Sequence, residues 1–160
     1  MTPEKRAEIV RKAKEWLRTP YHHQASVKGV GTDCAMFPLA VYQECGVVPL
    51  DFQPPEYSVQ WHLHRSEEKY LEALAPVMRE LRPHEAWKNH DGTATWTPIP
   101  QPADFVIFKF GRAFSHGAIV IDWPLIIHSY IPHGVMLSDA ERDGELIGRE
   151  KKFFEVNAWV

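Results

Sequence analysis

Cysteine is scarce in this chain, with two in 160 residues. Two cysteines do not make a disulfide framework, and a chain of this length buries roughly 70% of its unfolded surface without a covalent staple. Cys34 and Cys45 would pair only if the fold brought them together. An excess of either charge is also missing: 18 Lys and Arg stand against 21 Asp and Glu, a net charge of −3 with histidines neutral. Such a surface offers no basic field to a phosphate backbone, which argues against sequence-independent nucleic-acid binding. Apolar runs of membrane-spanning length are absent, so no transmembrane helix and no membrane partner is expected. The segment Thr2 to Thr19 carries Glu4, Lys5, Arg6, Glu8, Arg11 and Lys12, with no apolar core for a signal peptide; synthesis and folding in the cytosol are expected. Internal repeats and low-complexity stretches are missing too. With 44% apolar and 24% charged residues, what remains is one ordinary globular domain over residues 1–160.

Its organisation divides in two. Thr2-Pro3-Glu4 is a helix start, with a hydroxyl cap, proline in the first turn and an early acid. Ile9, Ala13, Trp16 and Leu17 form one apolar stripe, and Thr19-Pro20 ends the helix. A loop hinged by Gly29 and Gly31 leads to Asp33 at a cap position. A mostly apolar helix follows from Cys34 to Cys45, stopped by Gly46. Residues 47–60 are proline-rich, 66–81 read as a surface helix, and 83–101 as loop. The period then changes to strands at 104–110, 116–121, 125–130, 134–137 and 152–159. Helices followed by an antiparallel meander is the α+β pattern.

Cys34 is the foremost candidate for chemistry. A thiol at a helix N-terminus feels the positive end of the dipole, which lowers its pKa, and helix-start N–H groups can donate to an oxyanion. Such a nucleophile needs an oriented base. His116 and His128 sit in otherwise apolar strands joined by the Asp122-Trp123-Pro124 turn, and neighbouring strands could bring both rings to one face, with the Cys34 helix packed on it. His133 is a weaker substitute for the orienting ring. Cys45 reads as core filler. His22 and His23 read as solvated loop residues that could instead line a cleft, and His84 and His90 as surface. His62 and His64 lack further ligands at zinc spacing, so neither metal nor cofactor is expected. Trp61, Trp87, Trp96 and Trp123 read as packing anchors that could floor a groove.

Five motifs in order resemble the NlpC-like, papain-related cysteine peptidases of bacterial cell walls, most closely the branch encoded among phage and prophage tail-assembly genes. They are Thr19-Pro20-Tyr21, the His23 to Gly31 loop, Asp33-Cys34, the Ala103-Asp104-Phe105 strand start, and the pair His116-Gly117-Ala118-Ile119 and Ile127-His128-Ser129-Tyr130. The resemblance implies a papain-like core, the nucleophile helix on an antiparallel sheet. It implies Cys34 as nucleophile, His116 as general base and His128 as its orienting partner, with Tyr21, Asp33 and His23 at the substrate. The substrate implied is an amide of a peptidoglycan stem peptide, between D-glutamate and the diamino acid; possible partners are phage tail proteins, with incorporation in a tail particle. Ala35-Met36 stands where the family has a small residue and then glycine, Ala103 stands where it has glycine before the strand aspartate, and 47–101 matches no motif and could be a lid or insert. Two alternatives stay open: a tail-assembly or structural protein on a peptidase scaffold, and a papain-like amidase acting on a lipid or protein amide.

Overall fold

The computed structural model describes residues 1–57, 69–81, 87–88, 94–95 and 99–156. Helix α1 runs from Pro3 to Lys14, and the Thr2 hydroxyl accepts the Lys5 amide at 3.2 Å, the expected cap. Its Ile9 and Ala13 are buried, and Trp16 beyond it meets Phe37 edge to face at 5.9 Å. A small hairpin, β1 (Ser26–Val27) and β2 (Gly31–Thr32), leads to helix α2 (Met36–Glu44). Helix α3 (Lys69–Leu74) and strand β3 (Met78–Glu80) precede a two-residue ladder of β4 (Trp87–Lys88) with β5 (Ala94–Thr95). The meander follows as β6 (Phe105–Phe110), β7 (Ala113–Asp122), β8 (Leu125–Tyr130), β9 (Gly134–Asp139) and finally β10 (Lys151–Val156).

Two local expectations are corrected. The helix read over 66–81 ends at Leu74, and Met78–Glu80 instead pairs with β10 through Val156 to Phe154. The open edge of β10 offers ladder hydrogen bonds that outweigh one more helical turn. The stretch 83–101 is not all loop, since it holds the β4–β5 ladder. His62, His64, His84, His90, Trp61 and Trp96 lie outside the described residues, as do residues 66–68 of the expected helix and 157–159 of the last expected strand.

The six-stranded sheet has the order β3-β10-β6-β7-β8-β9, with antiparallel pairs throughout. Alternation sorts its side chains into two layers. Phe105, Ile107, Ile119 and Ile127 face the helices and join Ile9, Phe37, Val41 and Tyr42 in the main core. Val106, Phe108, Ala118, Val120 and Ile126 face the other way, where Ala140 and Leu146 of the β9–β10 connection cover them. Each large apolar side chain buried this way stabilises by about 1.5–3 kcal/mol. An α+β, papain-like arrangement results, with α2 against one face of an antiparallel sheet. None of the helices among the described residues is long and apolar enough to cross a membrane.

Candidate active site

Asp33 organises the site. Its side chain is buried, and Oδ1 accepts the amides of Ala35 at 3.0 Å and Met36 at 2.8 Å. Oδ2 accepts the Gln24 amide and the Tyr57 hydroxyl, both at 2.7 Å. The carboxylate thus caps α2 and holds Cys34 immediately before the helix. Four protein donors occupy it, which gives Asp33 a structural part in the site. The two helix-start amides are likewise taken and are not free for an oxyanion.

Cys34 is half-buried and Cys45 buried; neither is in a disulfide. Eleven residues apart along α2, they are separated by roughly 16 Å of helix axis, beyond disulfide reach. Cys45 belongs to the main core, as a filler would.

The thiol of Cys34 meets β7 where the sheet is incomplete. The β7–β8 ladder pairs Asp122 with Leu125, Val120 with Ile126 and Ile119 with Ile127, and carries no pairs further along β7. That leaves the Ser115 carbonyl without a β8 partner, and the Cys34 thiol donates to it at 3.6 Å. Tyr70 donates to the Cys34 carbonyl at 3.3 Å. A side chain at position 117 would collide with Phe105 and the Tyr70 hydroxyl, so glycine there permits this close approach.

The helix dipole does not set the Cys34 pKa. Burial pushes the thiol up to about 12, the Asp33 charge adds to the rise, and the amides of Gly117 and Cys34 oppose it. This corrects the expectation of a lowered pKa; the resting thiol is neutral at physiological pH.

His116 and His128 come together as anticipated. Nε2 of His116 lies 2.7 Å from Nδ1 of His128, and both rings are buried. His116 stands opposite Phe108 and His128 two residues from Ile126, which places the rings on the sheet face turned away from α2. The expectation that α2 packs on their face is therefore corrected: Cys34 approaches at the gap between β7 and β8. Burial pulls the His128 pKa down to about 4, against the opposing charge of Asp143. Tyr130 stacks on His128 at 5.4 Å and meets His116 edge-on at 5.2 Å, and Phe110 adds a third ring against His116.

The remaining anticipated residues fall nearby. Tyr21 bridges to Thr32, and burial together with the charges of Cys34 and Asp33 raises its phenol. His23 has Nδ1 3.6 Å from Asp33 Oδ2 and Nε2 3.0 Å from the Tyr57 carbonyl. Gln24 also donates to that carbonyl, at 2.9 Å. The segment Pro54–Tyr57 is thereby strapped beside Cys34. With Ala35, Tyr70 and Ser115 it lines a cleft that opens to solvent.

Three residues here escaped the sequence reading. Tyr57 lies in a proline-rich stretch with no periodicity to follow. Tyr70 belonged to an apolar stripe that reads equally as core. Ser138, whose Oγ is 2.9 Å from Nε2 of His128, lies one residue past the expected end of its strand. Extending the alternation by that residue would have found it.

A helix-start cysteine, a histidine pair on adjoining strands and a helix against an antiparallel sheet define a papain-like α+β protein. Solved structures sharing the fold include the NlpC/p60 domain of the peptidoglycan hydrolase SagA, at 15% identity and TM-score 0.53, covering 92% of this chain and 96% of that one. NlpC2 from Trichomonas vaginalis aligns at 14% identity and TM-score 0.60 over 100% of this chain and 48% of its own, so the chain spans about half of that protein. An N-acetylmuramoyl-L-alanine amidase from Bacteroides uniformis aligns at 9% identity and TM-score 0.61, over 96% and 99%. At such identities the likeness is one of fold. No protein-family model matches the chain. No curated protein matches it either.

Proposed function

We propose that the chain is a cysteine amide hydrolase acting on peptidoglycan stem peptides, at the bond between D-glutamate and the diamino acid. The observation that carries this is the meeting of Cys34 with β7 beside the His116–His128 pair. The neighbours' printed roles as a peptidoglycan hydrolase and an N-acetylmuramoyl-L-alanine amidase support the coarser part of this reading, a hydrolase of cell-wall amides, and leave the bond to the proposal.

In this reading Cys34 gives its proton to His116 as sulfur attacks the carbonyl carbon. The C–N bond of the tetrahedral intermediate then breaks, with the proton passing from His116 to the leaving amine. Water, losing a proton to His116, opens the thioester and restores the thiol. His128 orients His116, Asp33 and Tyr57 position the nucleophile, and Tyr21 and His23 border the substrate. Binding of substrate displaces the strap and exposes the sulfur. The phage-tail branch, with tail proteins as partners, belongs to the same proposal.

One observation favours a second substrate class, a non-peptidoglycan amide: the cleft wall beside Cys34 is apolar over Ala35, Pro54, Pro55, Tyr70 and Ala73. Mass spectrometry of digests of purified muropeptides and of lipid amides separates the two. The expected product is a muropeptide with a newly freed amine on the diamino acid, lost in Cys34→Ala. Cleavage of lipid amides alone would transfer the mechanism to the second class. No turnover of either, with Cys34 inert, would leave a scaffold protein.

A further inference from the structure

Resting on the hydrolase reading above, we infer that Ser138 is a positioning residue: its hydroxyl accepts the His128 Nε2–H and so fixes the tautomers of both histidines. Ser138 is buried on β9 opposite Ile126, the residue two before His128 on β8, so the hydroxyl and both rings share one face of the sheet.

The argument is proton counting along the chain of bonds. A neutral imidazole has one N–H. For Nδ1 of His116 to be the basic nitrogen, Nε2 must carry the proton and donate across the 2.7 Å bond to Nδ1 of His128. That nitrogen must then be bare, and the His128 proton must sit on Nε2, whose partner at 2.9 Å is Ser138 Oγ. If Ser138 donated instead, every proton would shift, and His116 would carry its proton on Nδ1 and have no base to offer there. His128 is neutral in the fold, so a single proton is in question. A hydroxyl is the group able to accept here without bringing a charge into a buried site.

The test is nitrogen-15 NMR of histidine-labelled protein, which reads directly which ring nitrogen is protonated. In the parent protein His128 and His116 are both expected in the Nε2–H form. Ser138→Ala removes the acceptor, and a mixture of tautomers is expected at His128. Ser138→Thr keeps the hydroxyl and restores the parent pattern. In step with this, iodoacetamide modification of Cys34 falls about tenfold in Ser138→Ala and recovers in Ser138→Thr. A parent protein with His128 protonated on Nδ1, or tautomers unchanged in Ser138→Ala, overturns the inference. The parent spectrum decides even if the alanine variant folds poorly. The tautomer readout needs no substrate. A shift seen in a protein that cleaves nothing would therefore sink the hydrolase reading and leave Ser138's role standing.

Discussion

At the scale of single residues, burial rather than charge pairing sets the behaviour of the site. His128 is neutral in the folded protein down to about pH 4, whereas an unfolded histidine takes a proton near 6.5. Between those values the unfolded state binds the extra proton, so stability rises with pH and is lost as the solution is acidified. The loss on going from pH 7 to pH 4 is about 3 kcal/mol from this residue. Urea unfolding at pH 4 to 8 should show that slope in the parent and a shallower one in His128→Gln. Equal slopes would mean that His128 is not held neutral. The same balance governs Cys34. The Asp33 cap and the helix start were legible from residue types alone, yet the thiol's upward shift was not. The residues that bury it, Tyr57 and Tyr70, come from distant stretches whose patterns say nothing about Cys34.

Among the elements, the Pro54–Tyr57 strap is the one whose removal is most informative. It is held through Tyr57 by Asp33, His23 and Gln24, and it walls the cleft beside the sulfur. Since burial is the first cause of the raised thiol pKa, Tyr57→Ala should lower that pKa and speed iodoacetamide labelling of Cys34 at pH 8 several-fold, with Cys45 unaffected. An unchanged rate would show that the strap is not what shields the sulfur. Helix α1 was legible because its cap, proline and stripe are all local signals. So was the β6 to β9 meander, where period-two runs are punctuated by turn residues. Strand β3 was missed because its pairing with β10 spans more than seventy residues, and no local pattern encodes a distant edge.

For the molecule as a whole, one half-buried cation, Arg6, joins the N-terminal helix to the sheet. Arg6 donates to Asp104 at 2.6 Å and to the Pro102 carbonyl at 2.7 Å, and its other nitrogen reaches Glu155 at 3.3 Å. Burial raises the Asp104 pKa even so, more than Arg6 lowers it. Arg6→Ala would leave a buried carboxylate without its counter-charge, at a cost of about 3 kcal/mol at pH 7. Protonating Asp104 removes that charge, so the difference from the parent protein should shrink at pH 5. Urea midpoints at the two pH values check this, and a pH-independent difference would mean that packing, not charge, is what Arg6 supplies.

The unfinished ladder of β7 also bears on motion. Ile119 and Val120 are bonded on both flanks, to β8 on one side and to Ala103–Phe105 on the other, but from Ala113 to Gly117 the strand is laced to β6 alone. Local opening free energy is therefore uneven along a single strand. The half that carries Ser115, His116 and Gly117 can breathe while the other half keeps the sheet intact. A bulky polymer could thus be admitted by loosening a few amides, without unfolding the domain that holds them.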